Sequence, residues 1–228
     1  MTANIEAAIA ANRFGLGARP GELAGLAGGA REALVAQLRQ APLLDAAALR
    51  SSADVLAEAI ALRAERRKAG DDDATAQVQV ALKLRQVYRP IYIDEALARF
   101  RAGVASERSF VERLVQFWSN HFAVSIDKVA VEGLAGALER EAIRPNVLGN
   151  FTDLLLAAER HPAMLLYLDN HISIGPNSRA ARFVARRGNG RAVGLNENLG
   201  REILELHTLG VDGGYTQADV TSFAAMIT

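Results

Sequence analysis

Apolar residues recur at three- and four-residue spacing along most of the chain. No stretch shows sustained strand alternation flanked by hairpin turns. The first third is rich in Ala, Leu and Arg and poor in β-branched runs, which favours helix. The spacing predicts helices over 3–12, 21–27, 29–39, 53–69 and 74–88. "AGDDDAT" separates the last two, with Asp73 or Thr75 as N-cap. It lacks the ligand spacing and distal Glu of a calcium loop, so it reads as a solvated break. In "LRQVYRPIYIDEALARF", Pro90 has no N–H to donate and its ring crowds the preceding turn. A helix is therefore expected to end near Tyr88 and another to begin near Ile93. "RFGLGARPGEL" gathers three glycines and Pro20 into a turn whose spacing fits neither the dinucleotide nor the P-loop fingerprint.

Later segments carry the same period. "ERLVQFWSNHF" sets Leu114, Phe117, Trp118, His121 and Phe122 on one stripe. "ERHPAMLLYLDN" opens a helix with His161 as cap and Pro162 in its first turn, and closes it at Asp169 and Asn170. In "NENLGREILELHTLG", with Asn196 as cap and about 100° per residue, Leu199, Ile203 and Leu206 form the apolar stripe. Glu202 and His207 border that stripe on either side, and Gly210 supplies the stop. Thr216, with Asp219 three residues on, caps a last helix that carries Val220, Phe223 and Ile227 on one face and runs to the final residue. These elements imply an all-α fold of packed helices with irregular loops and no substantial β-sheet, taken as one helical domain over 1–228. Its Ala-rich part is 1–105 and its motif-bearing part 106–228.

With 228 residues, half of them apolar, the chain is long enough to bury a sizeable core. Lys plus Arg and Asp plus Glu balance at 26 each, which argues against a dedicated nucleic-acid-binding domain. The absence of cysteine removes thiolate chemistry and Cys-ligated zinc. No apolar run approaches the roughly 20 residues of a membrane span. The N-terminus carries no export signal, so the default compartment is the cytoplasm.

Chemistry concentrates late: all four histidines, the single Trp118 and most Asn lie beyond residue 117. The candidate polar cluster is Asn120, His121, Asp169, Asn170, Asn196, Glu197, Asn198, Arg201, Glu202, Glu205 and His207. His121 reads either as a core histidine or as an imidazole tunable for acid–base work. His171 reads as a surface residue in a loop of the kind that often carries binding groups. "RAARFVARRGNGR" reads as a solvated arginine loop, with a phosphate grip as the alternative. Glu197–Arg201 and Arg201–Glu205 are i,i+4 pairs, so part of the density is ordinary helix stabilisation. The richness of this helix in Asn and Glu nevertheless favours a buried Arg201 network. Glu205 and His207 do not share a face, and no cofactor or metal site is expected.

The segments "FWSNHFAVS", "HPAMLLYLDN", "GPNSR" and "LNENLGREILELHTLGVDGGYTQADV", with the N-terminal "NRFGLGARPGEL", resemble the bacterial domain-of-unknown-function family 1800 over nearly the whole chain. His161 and Gly200 depart from it, standing where an acidic residue and Ala are usual. The resemblance implies that the chain is the N-terminal part of a longer protein, and it supplies no activity, cofactor or catalytic residue. Two function classes follow. One is a helical interaction or structural module whose partner is another protein or the missing C-terminal part, with self-association through the last helix. The alternative is a hydrolase-like enzyme with a pocket built from Asn120, His121, Glu202 and His207.

Overall fold

The computed structural model describes residues 2–39, 44, 46–68, 74–187 and 194–228. Among these the architecture is all-α, with no strand. The break at 69–73 with its cap at Asp73, and the glycine-rich turn at 188–191, lie outside the described residues; Thr75 falls inside a helix. The chain divides into two compact units, 1–158 and 159–228.

Unit 1 opens with α1 (Thr2–Ile9), which runs on into a π-helical turn at Ala10–Phe14. Then come α2 (Glu22–Leu26), α3 (Ala30–Gln37), α4 (Ser52–Lys68), α5 (Ala74–Ala105) and α6 (Ser109–His121). Three short helices follow: α7 (Val129–Glu132), α8 (Ala135–Ala137) and α9 (Arg144–Asn146), the last two joined by a π turn at Leu138–Ile143. Helix α10 (Phe151–Arg160) crosses the unit boundary in its last turn.

Helix α5 is the spine of unit 1 and contacts α4, α6, α7 and α8. It corrects one expectation, because it continues unbroken through Pro90. Proline inside a helix costs about 3 kcal/mol through a lost hydrogen bond and a ring clash. Here Pro90 and Gln86, whose carbonyl loses its donor, are both on the exposed side, where water can bond the freed group. On the other side Leu84, Tyr88, Ile91 and Glu95 are buried, so packing holds the helix together on both sides of the proline. Gly133 and Gly136 permit this packing: a Cβ on Gly133 would stand 2.6 Å from the Tyr88 ring, and one on Gly136 would overlap the Glu95 side chain.

The buried face of α6 is also rotated from the expected stripe. Val111, Glu112, Val115 and Phe122 are buried, whereas Phe117 is 59 % exposed. Val111 and Val115 pack with Val147, and Leu114, Trp118 and Leu148 close around them. The stripe misjudges this helix because it assigns every charged residue to solvent, and Glu112 is drawn inward by a partner remote in sequence.

Unit 2 contains α11 (Pro162–Tyr167), a 3-10 turn at Asn170–Ile172, α12 (Arg179–Arg187), α13 (Asn198–Glu202) with a π turn at Ile203–Thr208, and α14 (Gln217–Met226). Its local signals appear as read. His161 Nδ1 accepts from the Ala163 N–H at 3.2 Å, with Pro162 next to it. Thr216 and Asp219 form a reciprocal capping box, and Gly210 takes φ of 90° after the helix end. Helix α14 packs on α13. Val220 is therefore buried and Phe223 and Ile227 half-buried.

Candidate functional site

In unit 1 the outer face of α5 is the outstanding surface. Ile93, Leu97, Phe100 and Val104 are 44, 47, 73 and 76 % exposed. At about 100° per residue they fall within one narrow stripe, directly opposite Leu84, Tyr88, Ile91 and Glu95. The helix is thus apolar on two opposite sides, one covered and one open. Asp94 and Arg101 are exposed along one edge of the open stripe; Ala96 and Gly103 lie along the other.

A cleft of about 940 Å³ borders that second edge. Tyr92, Phe100 and Val104 of α5 line it, with Gln116, Ser119 and Asn120 of α6 and the carboxylates of Glu95 and Glu139. Both carboxylates are held. Arg140 donates to Glu95 at 2.7 Å, and Glu139 accepts from Arg144 at 2.9 Å, Arg99 at 2.9 Å and the Ser119 hydroxyl at 3.1 Å. Behind the cleft, Arg144 grips Glu112 with two parallel bonds of 2.9 and 2.8 Å, and Arg144, Glu112 and Glu139 are all buried. Burial pushes the Arg144 guanidinium down, but the hydrogen bonds and charges of Glu112 and Glu139 outweigh it and raise its pKa above the ordinary value. Arg144 stays charged. The same balance raises Arg140: burial lowers it, and Glu95 and Glu141 more than compensate.

None of this network was in the candidate cluster. Its signal is the run "LEREAIR" at 138–144. On an ordinary helix Glu139 and Arg144 would sit on different faces. The π turn, with its i→i+5 bonds and roughly 80° per residue, brings positions five apart onto one side.

The candidate residues divide between the units. Asn120 is exposed at the cleft, and half-buried His121 meets Trp118 and Phe122 edge to face at 5.3 and 4.7 Å. The others are in unit 2. Asn196 is an organiser there: its Oδ1 accepts from the Asn198 N–H at 2.9 Å and its Nδ2 donates to the Asp169 carbonyl at 3.2 Å. Asp169 has a left-handed φ of 58°. Asn170 donates to the Ile227 carbonyl at 3.3 Å. Arg201 pairs with Glu197 at 3.2 Å and Glu205 at 3.1 Å, both as read, and also donates to Gln217 at 2.8 Å. Hydrogen bonds from Thr221 and then Gln217, with the Arg201 charge behind them, hold Glu197 below the usual carboxylate range. Arg201 is more than a third exposed, which corrects the expectation of a buried network. Arg201→Ala is accordingly expected to shift the urea midpoint only slightly, far less than loss of Arg144. Comparable shifts for the two variants would contradict it.

His207 is the larger departure. It is 6 % exposed, and its Nδ1 lies 2.7 Å from Glu159 Oε1, while Leu206 is 59 % exposed. The π turn from Ile203, closed by the Leu209 N–H on the Leu204 carbonyl at 3.0 Å, advances each residue by about 80° instead of 100°. Over four residues the lag swings His207 into the centre of the stripe and Leu206 out of it. Glu202 remains half-buried.

Among the described residues no group of three His, Asp or Glu is placed to hold a metal, and no helix is long and apolar enough to cross a membrane. Residues 9–228 match the profile of the family described as "Protein of unknown function (DUF1800)". No curated protein and no solved structure matches the chain.

Proposed function

Since this chain belongs to the DUF1800 family, whose description assigns no activity, we propose from its surface that it is a helical protein-interaction module. The outer face of α5 is its contact surface. The observation that carries this reading is the open stripe of Ile93, Leu97, Phe100 and Val104 opposite a face that is already buried. A helix apolar on both sides gains the full benefit of water exclusion only when both sides are covered. The four side chains expose on the order of 500 Å² of apolar surface, the size of the largest patch on a typical monomer, which often serves binding. The adjoining cleft supports contact over catalysis, because its carboxylates Glu95 and Glu139 are already engaged by arginines. In the hydrolase alternative, built on Asn120, His121, Glu202 and His207, the His207 imidazole already lies 2.7 Å from Glu159.

The test places a photoreactive benzoylphenylalanine at Phe100 of the intact chain in its own cells, with Phe151, an exposed aromatic elsewhere in unit 1, as the control position. Irradiation is expected to give a discrete protein adduct from position 100 and none from 151. No adduct at 100, or the same adducts from both, would overturn the reading.

A further inference from the structure

We infer that the protein covering the outer face of α5 is a second copy of this chain, docked antiparallel about a two-fold axis between Leu97 and Phe100; this rests on the face being a contact surface. The stripe has the 4-3-4 spacing of a coiled-coil seam, with Ile93, Leu97, Phe100 and Val104 at alternating core positions. About that axis it is its own complement. Ile93 of one copy meets Val104 of the other, Leu97 meets Phe100, and each layer sets a large side chain against another of the pair.

The charges select the orientation. Asp94 and Arg101 are exposed, seven residues apart on the same flank, and unpaired among the described residues. In an antiparallel pair like flanks face each other, so Asp94 of each copy comes opposite Arg101 of the other and the two-fold axis generates the contact twice. A parallel pair would set this charged flank against Ala96 and Gly103 and gain no ion pair. Those small residues also leave room for the two helices to approach at the close end of the usual 8–10 Å spacing. Two stripes together bury on the order of 1,000 Å² of apolar side chain, and the charged flanks bring the total into the lower range of stable interfaces at about 1,200 Å². Such an interface forms a dimer whose assembly depends on protein concentration.

Sedimentation velocity of the whole chain over a dilution series tests this. The wild type is expected to pass from monomer to dimer. Arg101→Asp and Asp94→Arg, each of which sets like charges across the axis, should each raise the dissociation constant at least about tenfold, and the double swap should restore it. Leu97→Asp should leave only monomer. All three sites are on the exposed side of α5, so unchanged circular dichroism is expected, with unchanged urea midpoints at a dilution where the wild type is monomeric, and these show that the variants fold. A wild type monomeric at every concentration, a dimer indifferent to Leu97→Asp, or a double swap that fails to restore association overturns the inference. If the wild type stays monomeric while Phe100 still crosslinks to a different protein, only the identity of the partner falls. If it stays monomeric and Phe100 gives no adduct, the interaction reading falls with it.

Discussion

Replacing Arg144 with Met is expected to cost about 3–5 kcal/mol of unfolding free energy. The guanidinium donates to both oxygens of Glu112, and its Nε donates to Glu139 at 3.0 Å. All three side chains are less than a tenth exposed. Without Arg144, two carboxylates remain in a region from which water is excluded; Glu139 keeps Arg99 and Ser119, but among the described residues Glu112 keeps no cation. The penalty is therefore the desolvation of an unpaired charge and not simply the worth of the ion pair. It follows that the double variant Glu112→Leu with Arg144→Met should be much less damaged than Arg144→Met alone, because well-packed apolar groups can replace a buried pair at little cost. Urea unfolding of both single variants and the double variant measures the coupling. Additive losses, or a loss below about 1 kcal/mol for Arg144→Met, would mean that water or a rearranged side chain already compensates the site.

His207→Ala is expected to produce the corresponding loss in unit 2, again about 3–5 kcal/mol, while Leu206→Ala beside it should change little. The contrast inverts what residue type suggests. Leu206 projects into water, and His207 is buried with its Nδ1 2.7 Å from Oε1 of Glu159, both of whose carboxylate oxygens are buried and make no well-formed hydrogen bond. Removing the imidazole leaves a void beside that buried carboxylate. Hydrogen exchange locates the damage: protection over 198–208 and 217–226 should fall first, because α13 and α14 pack on each other. If Leu206→Ala proves as harmful as His207→Ala, the π turn does not rephase the helix as described.

The sequence by itself determined what depends on neighbours within about one helical turn. The helices expected over 3–12, 21–27, 29–39 and 53–69 stand within a few residues of those bounds because side-chain spacing and propensity act locally. The same holds for the Thr216–Asp219 box, the His161–Pro162 start, the Gly210 stop and the Arg201 ladder, each of which joins groups at most four residues apart. Of the candidate cluster, the part around Asn196, Glu197, Arg201 and Glu205 was legible for that reason.

Tertiary structure alone decided the rest. Pro90 was expected to break α5, yet burial of Tyr88 and Ile91 outweighs a local cost that no local signal offsets. Glu112 and Arg144 are 32 positions apart, and nothing in either segment announces the other. The π turns at 138–143 and 203–208 shift the helical phase, so a wheel drawn at constant pitch puts Arg144 and His207 in the wrong places. The two apolar faces of α5 are both visible in the sequence. Which one is covered was settled by Gly133 and Gly136, which let α7 and α8 come close on the Tyr88–Glu95 side and leave Phe100 and Val104 open. Periodicity reports that a face is apolar; only the position of remote chain segments determines whether anything lies against it.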